Sequence, residues 1–182
     1  LISERISSIC LTNRLHQLLE LMKNLSLKNR HIVVTGGLGV LGRAVGAVLA
    51  EYGARVVLLD RALAQDAPGM TTVIGGVDLT DSEATRTALE QASQQMHGFD
   101  GLVNVAGGFR WETLEAGSLE AWDSLYAMNL RSTVVTCREA LPHLLRAQAA
   151  CIVNVGALAA QKATAGMGAY AASKAGVARL TE

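Results

Sequence analysis

His31-Ile32-Val33-Val34-Thr35-Gly36-Gly37-Leu38-Gly39-Val40-Leu41-Gly42 is a β-branched run that breaks abruptly into glycine. Its first five residues read as a strand buried on both faces, because Ile32, Val33 and Val34 leave no polar side to turn toward water. The glycines read as a tight turn into an Ala/Val/Leu helix that ends near Tyr52-Gly53. Strand, turn and helix together open a βαβ unit, which implies a parallel sheet covered by helices with right-handed crossovers.

The same turn carries a chemical expectation. Gly36 permits the sharp turn, Gly39 lacks the Cβ that would block a pyrophosphate, and Gly42 lets the helix pack on the strand. The amides opening the helix, at Val40, Leu41 and Gly42, are then free to meet phosphate. The spacing is Gly-x-x-Gly-x-x-Gly, with Val40 where another common variant has glycine. A plain strand-to-helix turn is the alternative.

Further along, Ala54 to Leu59 is a second strand, closed by Asp60. An acid there can accept hydrogen bonds from an adenosine ribose and repels a 2′-phosphate, which favours NAD(H) over NADP(H). Arg61 works the other way, since a guanidinium pairs with that phosphate. Thr71 to Val77 is a third strand, after a loop with Pro68 and Gly69. Asp78-Leu79-Thr80-Asp81 then leads to a helix capped by Asp81 or Ser82 and running to about His97. Asp78 is placed either to bond the adenine amine or simply as a loop acid. Asp100 to Val105 is a fourth strand, Ser118 to Arg146 holds one or two helices, Cys151 to Val155 is a fifth strand, and Gly168 to Glu182 is a helix. Residues 27–182 thus form one doubly wound α/β domain of Rossmann type.

Residues 1–26 read as an extension of unreadable role, with Ile6, Ile9, Leu15, Leu18 and Leu25 at roughly helical period. The chain opens without Met, and Met22 precedes a short polar lead-in, so the expected native start is Met22, with residues 1–21 upstream sequence. Charges at Glu4, Arg5, Arg14, Glu20 and Lys23 interrupt every apolar block, arguing against a signal or membrane segment.

With 50% hydrophobic and 18% charged residues, the 182-residue chain can bury one sizeable core. Sixteen basic residues balance sixteen acidic ones, which excludes an electrostatic case for nucleic acid or an anionic membrane. Cys10, Cys137 and Cys151 have no metal-ligand spacing and sit in apolar neighbourhoods, suggesting core packing in a reducing, cytoplasmic compartment. His16, His31, His97 and His143 are scattered, which reads as structural or solvated rather than metal-binding.

Tyr170-Ala171-Ala172-Ser173-Lys174 sets a phenol and an ammonium one helical turn apart on a common face. A nearby cation favours the phenolate and makes tyrosine usable as an acid or base near neutrality.

From about Leu27 to Glu182 the sequence resembles the short-chain dehydrogenase/reductase family. The resemblance rests on the glycine turn, Asp60, Asp78-Leu79, Asn104-Val105-Ala106-Gly107, Met128-Asn129-Leu130 and the Tyr170–Lys174 segment, in that order. It implies hydride transfer between NAD(H) and a small carbonyl, alcohol or related acceptor, with Tyr170 as acid/base. Lys174 would lower the tyrosine's pKa and hold the nicotinamide ribose. Asn129 would hold a water in a proton relay, unless it is a structural helix-breaker. Asn104 would steady the central strand, and Ala106 and Gly107 would border the cofactor. The helices around Leu130–Leu145 and Tyr170 would pair subunits into a homodimer or homotetramer.

Two departures accompany it. Ala157 occupies the position where the family normally has a serine donating to the substrate oxygen, and no hydroxyl occurs between Val155 and Ala163. The chain also ends within the Tyr170 helix, so the fold is expected to be C-terminally incomplete. Short segments, among them Val105-Ala106-Gly107-Gly108, Gly156-Ala157 and Gly166-Met167, are similar to the dihydropteridine reductases, which lack that serine. The alternatives are therefore a quinonoid dihydropteridine reductase-like activity or a catalytically weak cofactor-binding scaffold or sensor. Phe109, Arg110 and Trp111 either line a substrate pocket or pack a loop.

Overall fold

The computed structural model describes residues 26–63 and 71–182. The expected N-terminal helix, the Met22 start, Cys10, His16 and the Pro68-Gly69 loop lie outside those residues. The described residues form five strands: β1 (His31–Thr35), β2 (Arg55–Leu59), β3 (Thr71–Ile74), β4 (Gly101–Asn104) and β5 (Cys151–Asn154). They lie in the order β3-β2-β1-β4-β5, every neighbouring pair parallel. The helices are α1 (Val40–Glu51), α2 (Ser82–Met96), α3 (Leu119–Leu125), α4 (Ser132–Leu144) and α5 (Gly168–Thr181). A π-helical turn over Tyr126–Arg131 joins α3 to α4, and a 3-10 turn over Leu158–Ala160 precedes α5.

The apolar strands serve two cores at once. Successive strand side chains point to opposite faces, so Val33, Val57, Leu59 and Ile74 meet Leu89 and Ala92 of α2 and Ala140 and Leu144 of α4. Ile32, Val34, Val56 and Leu58 face the other way, onto Val45 and Leu49 of α1. Each fully buried Val or Leu contributes about 1.5–3 kcal/mol. That is why a polar residue could not alternate here as it does in a half-solvated sheet.

The third strand stops at Ile74 rather than Val77, because Gly76 turns the chain at φ 76° and Val77 N–H then bonds the carbonyl of Asp60. Asp81, not Ser82, caps α2, its carboxylate accepting from the amides of Glu83 (2.8 Å) and Ala84 (3.0 Å). From β1 the chain runs outward to β2 and β3, then crosses back to β4 on the other side. A crevice therefore opens at the carboxyl ends of β1 and β4, the switch point of the sheet. No described helix is long and apolar enough to cross a membrane.

Candidate functional site

The crevice is a cleft of about 680 Å³. It brings together most residues singled out from the sequence: Gly36, Gly39, Val40, Leu41, Gly42, Asp60, Arg61, Asp78, Leu79, Ala106 and Gly107 line it. The glycine turn fits as tightly as its spacing implies. Gly36 has φ 64°, and a Cβ there would lie 2.8 Å from the backbone of Ala106. A Cβ on Gly42 would strike the Gly36 carbonyl. No side chain caps the start of α1, so its first amides point unpaired into the cleft. Arg43 braces the turn from outside through its Nε–H to the Leu38 carbonyl, at 2.9 Å.

Asp60 at the end of β2 accepts from Leu38 N–H on Oδ2 (2.8 Å) and from Ala62 N–H on Oδ1 (2.9 Å). A carboxylate offers about four acceptor positions, so lone pairs remain for a ligand hydroxyl. Asp78 is held by Thr80, whose hydroxyl donates at 2.7 Å and whose amide donates at 2.9 Å. Those bonds, with Arg61 as a smaller contributor, hold its carboxyl below the usual range.

Behind the cleft, Thr35, Asn104 and Asn154 occupy one register across β1, β4 and β5. Thr35 donates to Asn104 Oδ1 (3.3 Å), Asn104 Nδ2 donates to Asn154 Oδ1 (2.9 Å), and Asn154 Nδ2 donates to the Thr181 hydroxyl of α5 (3.0 Å). Asn104 also donates to Cys137 Sγ. Thr35 and Asn154 carry no motif of their own. The signal that could have found them is their common register at the ends of neighbouring parallel strands.

Lys174 is buried to 5% exposure, and its ammonium donates to the Val155 carbonyl at 2.8 Å. Burial pushes its pKa below the ordinary lysine value. Gly107 makes room for it: a Cβ there would sit 3.4 Å from Lys174 Nζ and 2.7 Å from Asn129 Oδ1. Tyr170, one turn earlier, stands perpendicular to Phe109 with ring centroids 5.0 Å apart.

Asn129 lies fully buried in the π turn. Its Oδ1 accepts from Gly108 N–H (2.8 Å), while Nδ2 donates to the Gly108 carbonyl (3.0 Å) and to Ser173 Oγ (2.9 Å). Both amide hydrogens are thereby committed within the protein. Ser173, absent from the sequence reading as a site residue, in turn donates to the Tyr170 carbonyl at 2.7 Å.

Of the aromatic loop after β4, Phe109 meets Tyr170 and Trp111 anchors the loop. Trp111 Nε1 donates to the Ala165 carbonyl (3.0 Å), and Glu112 N–H donates to the Gly166 carbonyl (2.9 Å). Gly166, at φ 81°, leaves no space for a Cβ beneath that indole. Arg110 pairs with Glu112 at 3.5 Å. Ala157 directly precedes the 3-10 turn packed on α5.

One sequence expectation needs correction. Cys151 is exposed on the edge strand β5 rather than packed in a core, and among the described residues only Cys137 is partly buried. His31, His97 and His143, far apart in sequence, line with Arg146 a concavity of about 710 Å³ at the opposite, amino ends of the strands. No group of His, Cys, Asp or Glu among the described residues is arranged to hold a metal ion.

A family model described as short chain dehydrogenase matches residues 30–182. The 2-(S)-hydroxypropyl-CoM dehydrogenase 3 of Xanthobacter autotrophicus is 32% identical over 163 residues, covering 85% of this chain and 64% of that protein. An uncharacterized oxidoreductase of Staphylococcus aureus is 28% identical over 166 residues, covering 86% of this chain and 70% of its own. Among solved structures, a short-chain dehydrogenase/reductase from Serratia marcescens superposes with a TM-score of 0.75 at 30% identity, covering 85% of this chain and 70% of that one. The ligand-free aldohexose dehydrogenase of Thermoplasma acidophilum gives 0.79 at 24% identity, with 85% and 60% covered, a likeness of fold. The chain thus spans less than two thirds of the first relative's length.

Proposed function

The chain belongs to the short-chain dehydrogenase/reductase family, and on that premise we propose that it is an NAD(H)-dependent oxidoreductase whose proton is handled by Tyr170. The observation carrying this reading is Lys174, one helical turn from Tyr170, buried and held against Val155 beside the cleft-wall residue Gly107, although neither Tyr170 nor Lys174 itself lines the cleft.

The cleft suits a dinucleotide. Gly36 and Gly42 leave a cradle that a Cβ would fill, the start of α1 offers free amides to a pyrophosphate, and Asp60 keeps acceptor capacity for ribose hydroxyls. That carboxylate favours NAD(H), with NADP(H) the lesser alternative through Arg61. Asp78 and Leu79 would border the adenine, and Ala106 and Gly107 the middle of the cofactor. Bound there, the nicotinamide supplies or takes up the hydride. Tyr170 gives a proton to the acceptor oxygen or removes one from a hydroxyl, and Lys174 stabilises the phenolate so formed. Because both amide hydrogens of Asn129 are engaged, its part in a proton path to Lys174 falls to its main chain.

The acceptor class is a small carbonyl or its alcohol, in keeping with the hydroxyl-bearing compound in the name of the Xanthobacter relative. The pteridine and scaffold alternatives rest on Ala157 and gain nothing from relatives named as dehydrogenases and oxidoreductases. A cytoplasmic homo-oligomer is the expected setting.

The test is NADH oxidation by the full-length protein against a panel of carbonyls and quinonoid dihydropterin. Tyr170→Phe is expected to lose about 100-fold or more in kcat while still binding NADH. Unchanged turnover in that variant would sink the mechanism.

A further inference from the structure

Ser173 stands in a run of alanines, Ala171, Ala172 and Ala175, where a helix gains nothing from serine. It is nonetheless buried, at 4% exposure. A buried hydroxyl is costly unless its bonds are made, and this one makes two, donating to the Tyr170 carbonyl at 2.7 Å and accepting from Asn129 Nδ2 at 2.9 Å. Asn129 grips both the amide and the carbonyl of Gly108, and the adjoining Gly107 is a wall of the dinucleotide cleft. The bonds run without a gap from the cleft wall through Asn129 and Ser173 to the backbone of Tyr170.

We propose that Ser173 is a positioning residue, locking the first turn of α5, and with it Tyr170, to the Gly107–Gly108 wall through Asn129. The proposal rests on the reading of Tyr170 as the proton-transfer group. α5 begins without a side-chain cap, so its first turn is held mainly by what packs and bonds to it. Without the Ser173 hydroxyl, an amide hydrogen of buried Asn129 loses its acceptor, and the turn carrying Tyr170 loses its tie to the cleft. Small displacements of a reacting group cost rate steeply. The expected signature is a loss in kcat with cofactor binding preserved, because the glycine turn and Asp60 stand on other elements.

The experiment compares full-length wild type, Ser173→Ala, Ser173→Thr and Tyr170→Phe. NADH affinity is read from nicotinamide fluorescence, and turnover from NADH oxidation with diacetyl as probe acceptor. Each protein is also labelled with fluorotyrosine, and the fluorine resonance missing from Tyr170→Phe is assigned to position 170 and followed on adding NAD. Ser173→Ala is expected to lose about 10- to 100-fold in kcat at unchanged NADH affinity, and to show a displaced or broadened fluorine line in the presence of NAD. Ser173→Thr, which keeps the hydroxyl, is expected to recover both. A Ser173→Ala fluorine line identical to wild type overturns the proposal. So does a loss of NADH affinity in step with turnover, or a failure of threonine to restore the line. The line needs no acceptor, so it decides the case even if diacetyl is not reduced. Full turnover in Tyr170→Phe instead removes the acid/base reading and leaves the tie itself to the fluorine result.

Discussion

Lys174 shows most sharply what single residues contribute. Its ammonium is almost withdrawn from water, and its partner is a neutral carbonyl at 2.8 Å, a poor return for the lost hydration. Burial lowers its pKa, so the folded chain binds this proton less tightly than the unfolded chain does. Stability from this residue therefore rises with pH between the lowered folded value and the unfolded value of about 10.4. Lys174→Met is expected to unfold at higher urea concentration than wild type at pH about 7, with the advantage shrinking toward pH about 10, while kcat falls about 100-fold or more. A pH-independent difference in urea midpoint would remove burial of charge as its cause. Tyr170, Lys174, Asp60 and the glycine turn were singled out as candidates from the sequence because the chemistry proposed for them demands given residue types at local spacings. Ser173, Asn154 and Thr35 were not, because their partners arrive from other elements and only the folded register brings them together.

Among the elements, the continuous apolar strands declared a two-faced parallel sheet, and only their ends were misjudged, most at β3, where Gly76 turns the chain. The π turn at Tyr126–Arg131 had no comparable mark. It depends on Asn129 reaching Gly108 and Ser173, and on the hydroxyls of Ser132 and Thr133 bonding back to the carbonyls of Met128 (2.6 Å) and Asn129 (2.9 Å). Those are tertiary and side-chain terms that helical periodicity does not express. The far end of α4 supports a second pH prediction. His143 stacks on Phe99 at 5.0 Å with 28° between the rings. Its pKa is lowered by burial and then by Arg146, with Glu90 opposing. His31 and His97 share the concavity, and Asp100 is tied to Arg30 at 3.1 Å. A histidine depressed in the fold favours the folded state above its unfolded value of about 6.5, and that advantage is lost as pH falls. Wild type should therefore lose urea stability between pH about 7 and about 5, and His143→Gln should lose less. Parallel pH profiles for the two proteins would remove His143 as the source.

At the scale of the whole molecule, the doubly wound parallel sheet was readable from alternation of apolar runs and helices, and the family resemblance pointed to the Leu130–Leu145 helix for a second subunit without showing which of its residues stay exposed. Val134 and Leu141 of α4, and Leu145 at its C-terminal cap, are 39%, 44% and 80% exposed, and their spacing places them along one helical face. Arg138 lies among them, reaching Glu139 at 3.7 Å. If the chain pairs about a two-fold axis, this stripe is the surface proposed to meet its own copy. None of its members lines the cleft proposed for the dinucleotide, so association and cofactor binding should be separable. Light scattering on the full-length protein is expected to give a dimer or tetramer. Introducing Leu141→Glu and Leu145→Glu together should raise the dissociation constant by about 100-fold or more, since two carboxylates would be buried against their twins, with NADH affinity retained. A wild-type monomer at micromolar concentration, or a double variant that still associates, would move the interface off α4.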